Sequence, residues 1–286
     1  MKIEKSRNLK IFKKEIGQAN HFLITILVGL DGVKDGVVNL KEEFRTTWNP
    51  RDRKSSAERS RGFAKKATLA WIVDNIDMYF SMCNEEPKLM NDELIRNIDG
   101  HGRSVYNKYL EIIKYYNLNC VDSAFVDLII CWRNRLMHYK ADNNISDKSR
   151  RVLIEENKDS IYNLDNNRML KNFDELKEPS FKEVASMVRA SINFIYKIDS
   201  KLLKKVDSVK YADKVIYYYI KEDKIKRLDN LFSKDENSRE RIIKNILENY
   251  GFNEKEDRNV DNFILKLKCY KFDDAKKNMK RVLFYR

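Results

Sequence analysis

Eight glycines and three prolines serve all 286 residues. Folds dense in tight turns draw on glycine where the backbone takes positive φ and on proline between short strands. Turn-rich all-β architectures and glycine-rich phosphate cradles therefore lack their usual residues here. Helices are what such a chain builds, and 42% hydrophobic residues suffice for an ordinary core, arranged as one large domain or two modest ones.

Helical periodicity is visible along the chain. Ile16, Ala19, Phe22, Leu23, Ile26 and Leu27 repeat at three and four over residues 11–30, predicting one helix. Phe63, Ala67, Ala70, Trp71, Val73, Ile76 and Phe80 form a wide stripe that predicts a buried central helix over 63–80. Helices are expected over 105–116 and from a cap at Asp122 or Ser123 through Phe125, Leu128, Ile129 and Trp132. Residues 143–172 read as an irregular insertion with one short helix near 151–155. Ser180 and Glu183 have capping-box spacing and start a long helix to about residue 206. Further helices are expected over 210–220, 235–250 and 259–270, with Ser233 and Glu236 as a second box and Gly251 as a stop. The expected fold is all-α: an antiparallel helical bundle over residues 1–206 with a basic helical extension over 207–286.

The apolar run 21–30 is shorter than the ~20 residues a bilayer span needs, and the amino terminus lacks a signal-peptide pattern, so a cytoplasmic protein without membrane contact is expected. Cys83, Cys120, Cys131 and Cys269 form no CxxC pair and read as isolated core thiols. His21, His101 and His138 are too scattered for a ligand set, so neither metal nor cofactor is implied. The net charge of +13 favours a polyanion, RNA or DNA ahead of an anionic membrane. The excess is +8 beyond residue 200 and +5 before it. Lysine accompanies abundant Asn and Ile, as AT-rich coding would produce, so arginine clusters carry more weight.

One such cluster ends an apolar run: "CWRNRLMHYKADN", residues 131–143. His138 can give or take a proton near neutral pH, and the Arg133 guanidinium is a permanent cation whose planar fork matches phosphate oxygens. Together they suit RNA cleavage, in which the 2′-OH attacks phosphorus and charge builds on the equatorial oxygens. Five residues along an ideal helix turn the side chain by ~140°, so one continuous helix does not aim both groups at one atom. A helix end, a bent arginine or a second copy of the chain must supply the alignment.

"RNRLMH", residues 133–138, resembles the R-N-x-x-x-H form of the R-x(4 to 6)-H signature of the HEPN superfamily, and it follows an apolar helix as in those proteins. The likeness rests on this motif and its helical surroundings, about residues 60–206. It implies a helical bundle that forms a homodimer and a metal-independent endoribonuclease with a composite site, acting in antiphage defence or a toxin–antitoxin system. Arg133 and His138 would be the catalytic pair, Asn134 would orient them, and Arg135, at a variable position, would contact phosphate. A partner antitoxin or defence protein is also implied. Some such toxins carry a modifiable tyrosine two residues after the histidine; Lys140 stands there, so that form of control is not expected. A second reading within the same resemblance is a non-catalytic RNA- or nucleotide-binding module.

The stretch 45–66 supplies Arg45, Arg51, Arg53, Arg59 and Arg61 against Asp52 and Glu58, with Trp48 placed to stack a base. Arg51, Arg53, Arg59, Arg61 and Trp48 are the expected RNA contacts, with a solvated loop anchored by Trp48 as the equal competitor. Tyr217, Tyr218 and Tyr219 read as packing residues, His21 as a packed histidine, and Asp74 and Asp77 as an ordinary exposed helix edge.

Overall fold

The computed structural model describes residues 1–38, 41–44, 48, 50–138, 140–156, 161–271, 273, 275 and 277. The chain is all-α. In order it forms α1 (Arg7–Gly17), α2 (Ala19–Asp35), α3 (Arg53–Asn84), α4 (Asp92–Asp99), α5 (Val105–Tyr116), α6 (Val121–Met137) and α7 (Asp147–Glu156). These are followed by α8 (Asn166–Asp174), α9 (Phe181–Lys205), α10 (Ser208–Glu222), α11 (Lys224–Phe232), α12 (Glu236–Asn249) and α13 (Arg258–Lys268). Two short strands, β1 (Lys2–Ile3) and β2 (Phe252–Asn253), pair antiparallel with Ile3 opposite Phe252. Two compact units result, one of Phe12–Met78 with Arg96–Ile195, the other of Met1–Ile11, Tyr79–Ile95 and Tyr196–Arg286.

In the unit holding residues 96–195, α6 is the central rod: every residue from Asp122 to Trp132 is buried. Phe125 meets Tyr162 edge-on at 4.9 Å, Trp132 meets Phe173 at 5.9 Å, and Tyr109 packs on Phe194 at 5.6 Å. Removing a large apolar side chain from water contributes ~1.5–3 kcal/mol, so these rings dominate the local core. Their polar tips are satisfied: Trp132 Nε1 donates to Lys177 O at 3.0 Å and Tyr109 OH to Ser123 O at 2.7 Å.

The other unit closes around two buried polar centres. Asp199 accepts from Ser6 N at 3.0 Å, from Ser6 Oγ, and from Tyr79 OH at 2.9 Å. Arg239 on α12 donates to the carbonyls of Leu231, Phe232 and Lys234, at and just past the end of α11, and to those of Lys268 and Tyr270, at and just past the end of α13. All five of its N–H groups have acceptors, and the negative ends of two helices balance its charge.

Capping chemistry explains most boundaries. Ser180 Oγ accepts from Glu183 N at 3.2 Å, and the Glu183 carboxylate accepts from Ser180 N, completing the predicted box. Ser104, Asp207 and Asp257 cap α5, α10 and α13.

Several expectations are corrected. The single helix over 11–30 is two, α1 and α2, and their stretch Arg7–Asp35 is, by length and composition alone, long and apolar enough to cross a membrane. α2 leaves Phe22, Ile26 and Val28 exposed, burying only Ala19 and Leu23. α3 begins ten residues before Phe63 because Asp52 accepts from the N–H groups of Lys54 and Ser55, and its predicted stripe is only partly buried: Phe63 is 72% and Trp71 44% exposed. The insertion 143–172 contains α7 and α8, started by Ser146 and Asp165 and held by Leu153, Met169, Leu170 and Phe173. Asp235, not Ser233, caps α12. Of the cysteines, Cys83 and Cys131 are core thiols, whereas Cys120 is half-buried and Cys269 exposed.

Candidate functional site

α6 stays helical through Met137 and then breaks. His138 is its C-cap, extended at φ −112° and ψ 127°, with its N–H donating to Asn134 O at 2.9 Å. Helical dihedrals end at the histidine itself, so the ~140° offset of an ideal helix no longer fixes where its side chain and the long arginine meet. Arg133 Nη1 lies 3.1 Å from His138 Nε2. Of the three routes to alignment that the spacing leaves open, the end of α6 and the reach of the arginine bring the two side chains together within one chain.

The guanidinium is held from three sides. Nη1 also donates to Asn134 Oδ1 at 2.9 Å, and Nη2 donates to Asp74 Oδ1 on α3 at 3.3 Å. Asn134 therefore holds the arginine by its side chain and the histidine by its backbone carbonyl. A guanidinium only donates, so a hydrogen bond across this 3.1 Å contact requires Nε2 as the acceptor, with the ring hydrogen on Nδ1.

The chain beyond His138 is tied back to α6. Ala141 N donates to His138 O at 3.2 Å, Cys131 Sγ donates to Asn144 O at 3.3 Å, and Ser146 N and Oγ donate to Asp127 Oδ2 at 3.3 and 2.7 Å. Burial, reinforced by the Asp127 carboxylate, pushes the Cys131 thiol well up, so it stays a neutral donor.

Arg133 and His138 open into a cavity of about 790 Å³ between α3, α5 and α6. Its charged side chains are Arg103, Lys108 and Arg133 against Asp74 and Asp77, an excess of one positive charge. Lys108 Nζ pairs with Asp77 Oδ1 at 2.8 Å. Tyr106 also lines it; burial first, then Asp127, pushes its phenol far up, so it remains a donor. Two cations partnered by carboxylates, with a histidine nitrogen beside one of them, make a place where a phosphodiester can exchange for the carboxylates.

The other predicted site residues lie away from this cavity's lining. Arg135 stacks on Phe173 with 4.5 Å from guanidinium carbon to ring centroid. Arg61 is spent on Asp31 and on Leu27 O at 3.3 Å. Arg59 is exposed on α3, Arg51 precedes it, and Arg53 begins it, all solvent-facing. Trp48 is half-buried and shares a cavity wall with Val33 and Phe44. Arg45 lies outside the described residues. His21 is exposed on α2, not packed.

Sequence reasoning missed Asp74, Asp77, Arg103, Tyr106 and Lys108. Asp74 and Asp77 showed only the i, i+3 spacing of an ordinary helix edge. Their signal is spatial, created when α3 and α5 pack beside the end of α6. The chain matches no known protein family, curated protein or solved structure.

Proposed function

We propose that this chain is a metal-independent endoribonuclease of HEPN type. The observation that carries the reading is the 3.1 Å approach of Arg133 Nη1 to His138 Nε2 at the mouth of a net-positive cavity. In the resting site the base's lone pair is engaged by the guanidinium. A phosphodiester that draws Arg133 toward its own oxygens frees Nε2 at the moment the phosphate is seated. His138 then accepts the 2′-OH proton, the O2′–P bond forms, and the P–O5′ bond breaks to leave a 2′,3′-cyclic phosphate. Arg133 faces the charge building on the equatorial oxygens, and that charge also shields it from the imidazolium now beside it.

The leaving 5′-oxygen needs a proton, and in the composite site of this proposal the His138 of a second copy across a two-fold axis, entering the reaction as the imidazolium, gives it and becomes neutral. What supports a homodimer is the surface next to the site. Phe63, Ala67, Trp71 and Asp74 succeed one another at helical spacing, so an exposed apolar stripe on α3 ends at the carboxylate touching Arg133. In this reading the protein works in the cytoplasm, in antiphage defence or a toxin–antitoxin pair with its own protein partner.

Cleavage of total RNA by wild type beside Arg133→Ala and His138→Ala tests the proposal. Scission should persist in EDTA, vanish when the scissile 2′-OH is replaced by hydrogen, and be lost in both variants with helical signal retained. Equal cutting by both variants would place the chemistry elsewhere; tight RNA binding without scission would favour the binding module.

A further inference from the structure

A separate cavity, of about 530 Å³, opens between α5, α6 and α7. Leu118, Ala124 and Asp127 are its buried floor. Ile113 and Val152 stand on its sides, and Leu110 remains 39% exposed there. Lys114 and Lys148, both exposed, complete its charged lining. Sites for small molecules commonly measure ~300–1,000 Å³ and pair apolar walls with a few convergent polar groups.

Asp127 joins this cavity to the loop that carries His138. Its Oδ2 accepts both donors of Ser146, where that loop ends, and Cys131 Sγ lies 3.6 Å from its Oδ1 while also reaching Asn144 O. Ser146 Oγ is in turn 3.0 Å from Ser149 Oγ, and both serines line the cavity. Asp127 thus already satisfies its negative charge with internal donors, which leaves the two lysines as the charge a visitor meets.

We propose that this cavity binds an amphipathic anion, an apolar ring body ending in a phosphate or carboxylate, and that its occupancy changes the anchoring of the His138 loop through Ser146 and Asp127. The ring removes Leu110, Ile113 and Val152 from water, and the anion engages Lys114 and Lys148. A ligand oxygen near Ser146 Oγ competes with Asp127 for that hydroxyl and loosens the end of the loop. The inference stands apart from the ribonuclease reading, because binding and loop protection are measured without any cleavage.

Isothermal titration of the full chain with AMP and with 4-phenylbutyrate distinguishes the nucleotide from the carboxylate source. Adenosine, 4-phenylbutanol and inorganic phosphate serve as half-ligands. At least one of the two anions should bind saturably, with its half-ligands weaker by at least about tenfold. Val152→Trp, which fills the cavity, should abolish binding. The double variant Lys114→Ala, Lys148→Ala changes only exposed side chains, so it remains decisive if the tryptophan is not accommodated, and it should weaken binding about tenfold. Amide hydrogen exchange over residues 141–146 should quicken on saturation. Absence of saturable binding by both anions, or affinity unchanged in the lysine double variant, would overturn the site; unchanged loop exchange at saturation would overturn the coupling.

Discussion

Replacing Arg133 by lysine keeps the charge and removes the fork. In the resting site two guanidinium nitrogens serve three acceptors, Asn134 Oδ1 and His138 Nε2 on Nη1 and Asp74 Oδ1 on Nη2. A single ammonium nitrogen at the end of a flexible stem cannot span the same positions, nor face two equatorial oxygens of a phosphorane at once. Loss of one preorganised donor aimed at developing charge costs about 2.7–4 kcal/mol, a fall of about 10²–10³ in kcat. Stability should hardly move, because Asp74 is 67% exposed and an exposed ion pair contributes at most about 1 kcal/mol. Asp74→Asn perturbs the same contact from the other side: it removes the carboxylate that, in the proposed function, competes with phosphate, and it leaves the fork intact. RNA affinity should then rise about twofold to fivefold with kcat nearly unchanged. Single-turnover cleavage across enzyme concentration separates the two quantities, and thermal melting checks the fold. If Arg133→Lys cuts within about threefold of wild type, the forked contact contributes less than about 0.7 kcal/mol and the geometric reasoning fails.

Arg239→Met strands five carbonyls, of which those of Leu231 and Phe232 belong to buried residues while the others lie nearer water; at ~1–2 kcal/mol for each stranded buried carbonyl, urea midpoints should report a loss of ~2–4 kcal/mol, and a loss below ~0.5 would refute the account. Gly251 has φ +108° and an added Cβ would stand 2.1 Å from Lys5 O, so Gly251→Ala should destabilise by ~2 kcal/mol or more, read from the same midpoints; a near-neutral effect would show that the β1 segment shifts freely. Asp199 is held above the ordinary aspartate range by burial, which outweighs the hydrogen bonds from Ser6 and Tyr79. The folded chain therefore keeps this proton more tightly than the unfolded chain, and its contribution to stability is present below the ordinary aspartate value and lost as pH rises through the folded one. The stability difference between wild type and Asp199→Asn should drift across that window, and parallel pH curves would refute the assignment.

Legibility followed how locally each feature is encoded. The α9 start was readable because both halves of its capping box lie within four residues, Ser180 to Glu183. The same logic failed at α12, where Ser233 and Glu236 offered equal spacing and Asp235 was better placed to take the N–H groups of Asn237 and Ser238. α7 was legible only as a short helix near 151–155 and α8 not at all, because each is short and polar, and Leu153 or Phe173 gains its burial only from neighbours elsewhere in the chain. On α3 the apolar period was real, but periodicity says which residues share a face and not what covers it. Phe63, Ala67 and Trp71 do share a face, and that face is exposed.

At the candidate site the local part of the pattern was sufficient for identity and insufficient for geometry. An i, i+5 pair diverges only while the helix continues, and nothing in "RNRLMH" states where α6 stops. The stop follows from residues after the motif: Lys140 takes φ 60°, Ala141 N turns back to His138 O, and Asn144 and Ser146 are captured by Cys131 and Asp127. Those anchors, Cys131 and Asp127, are themselves on α6, two and six residues before Arg133, so the helix fixes its own exit loop. The spacing from Asp127 to Ser146 is too long for any short motif, which is why the alignment of Arg133 with His138 depends on residues that chemistry alone would never have singled out.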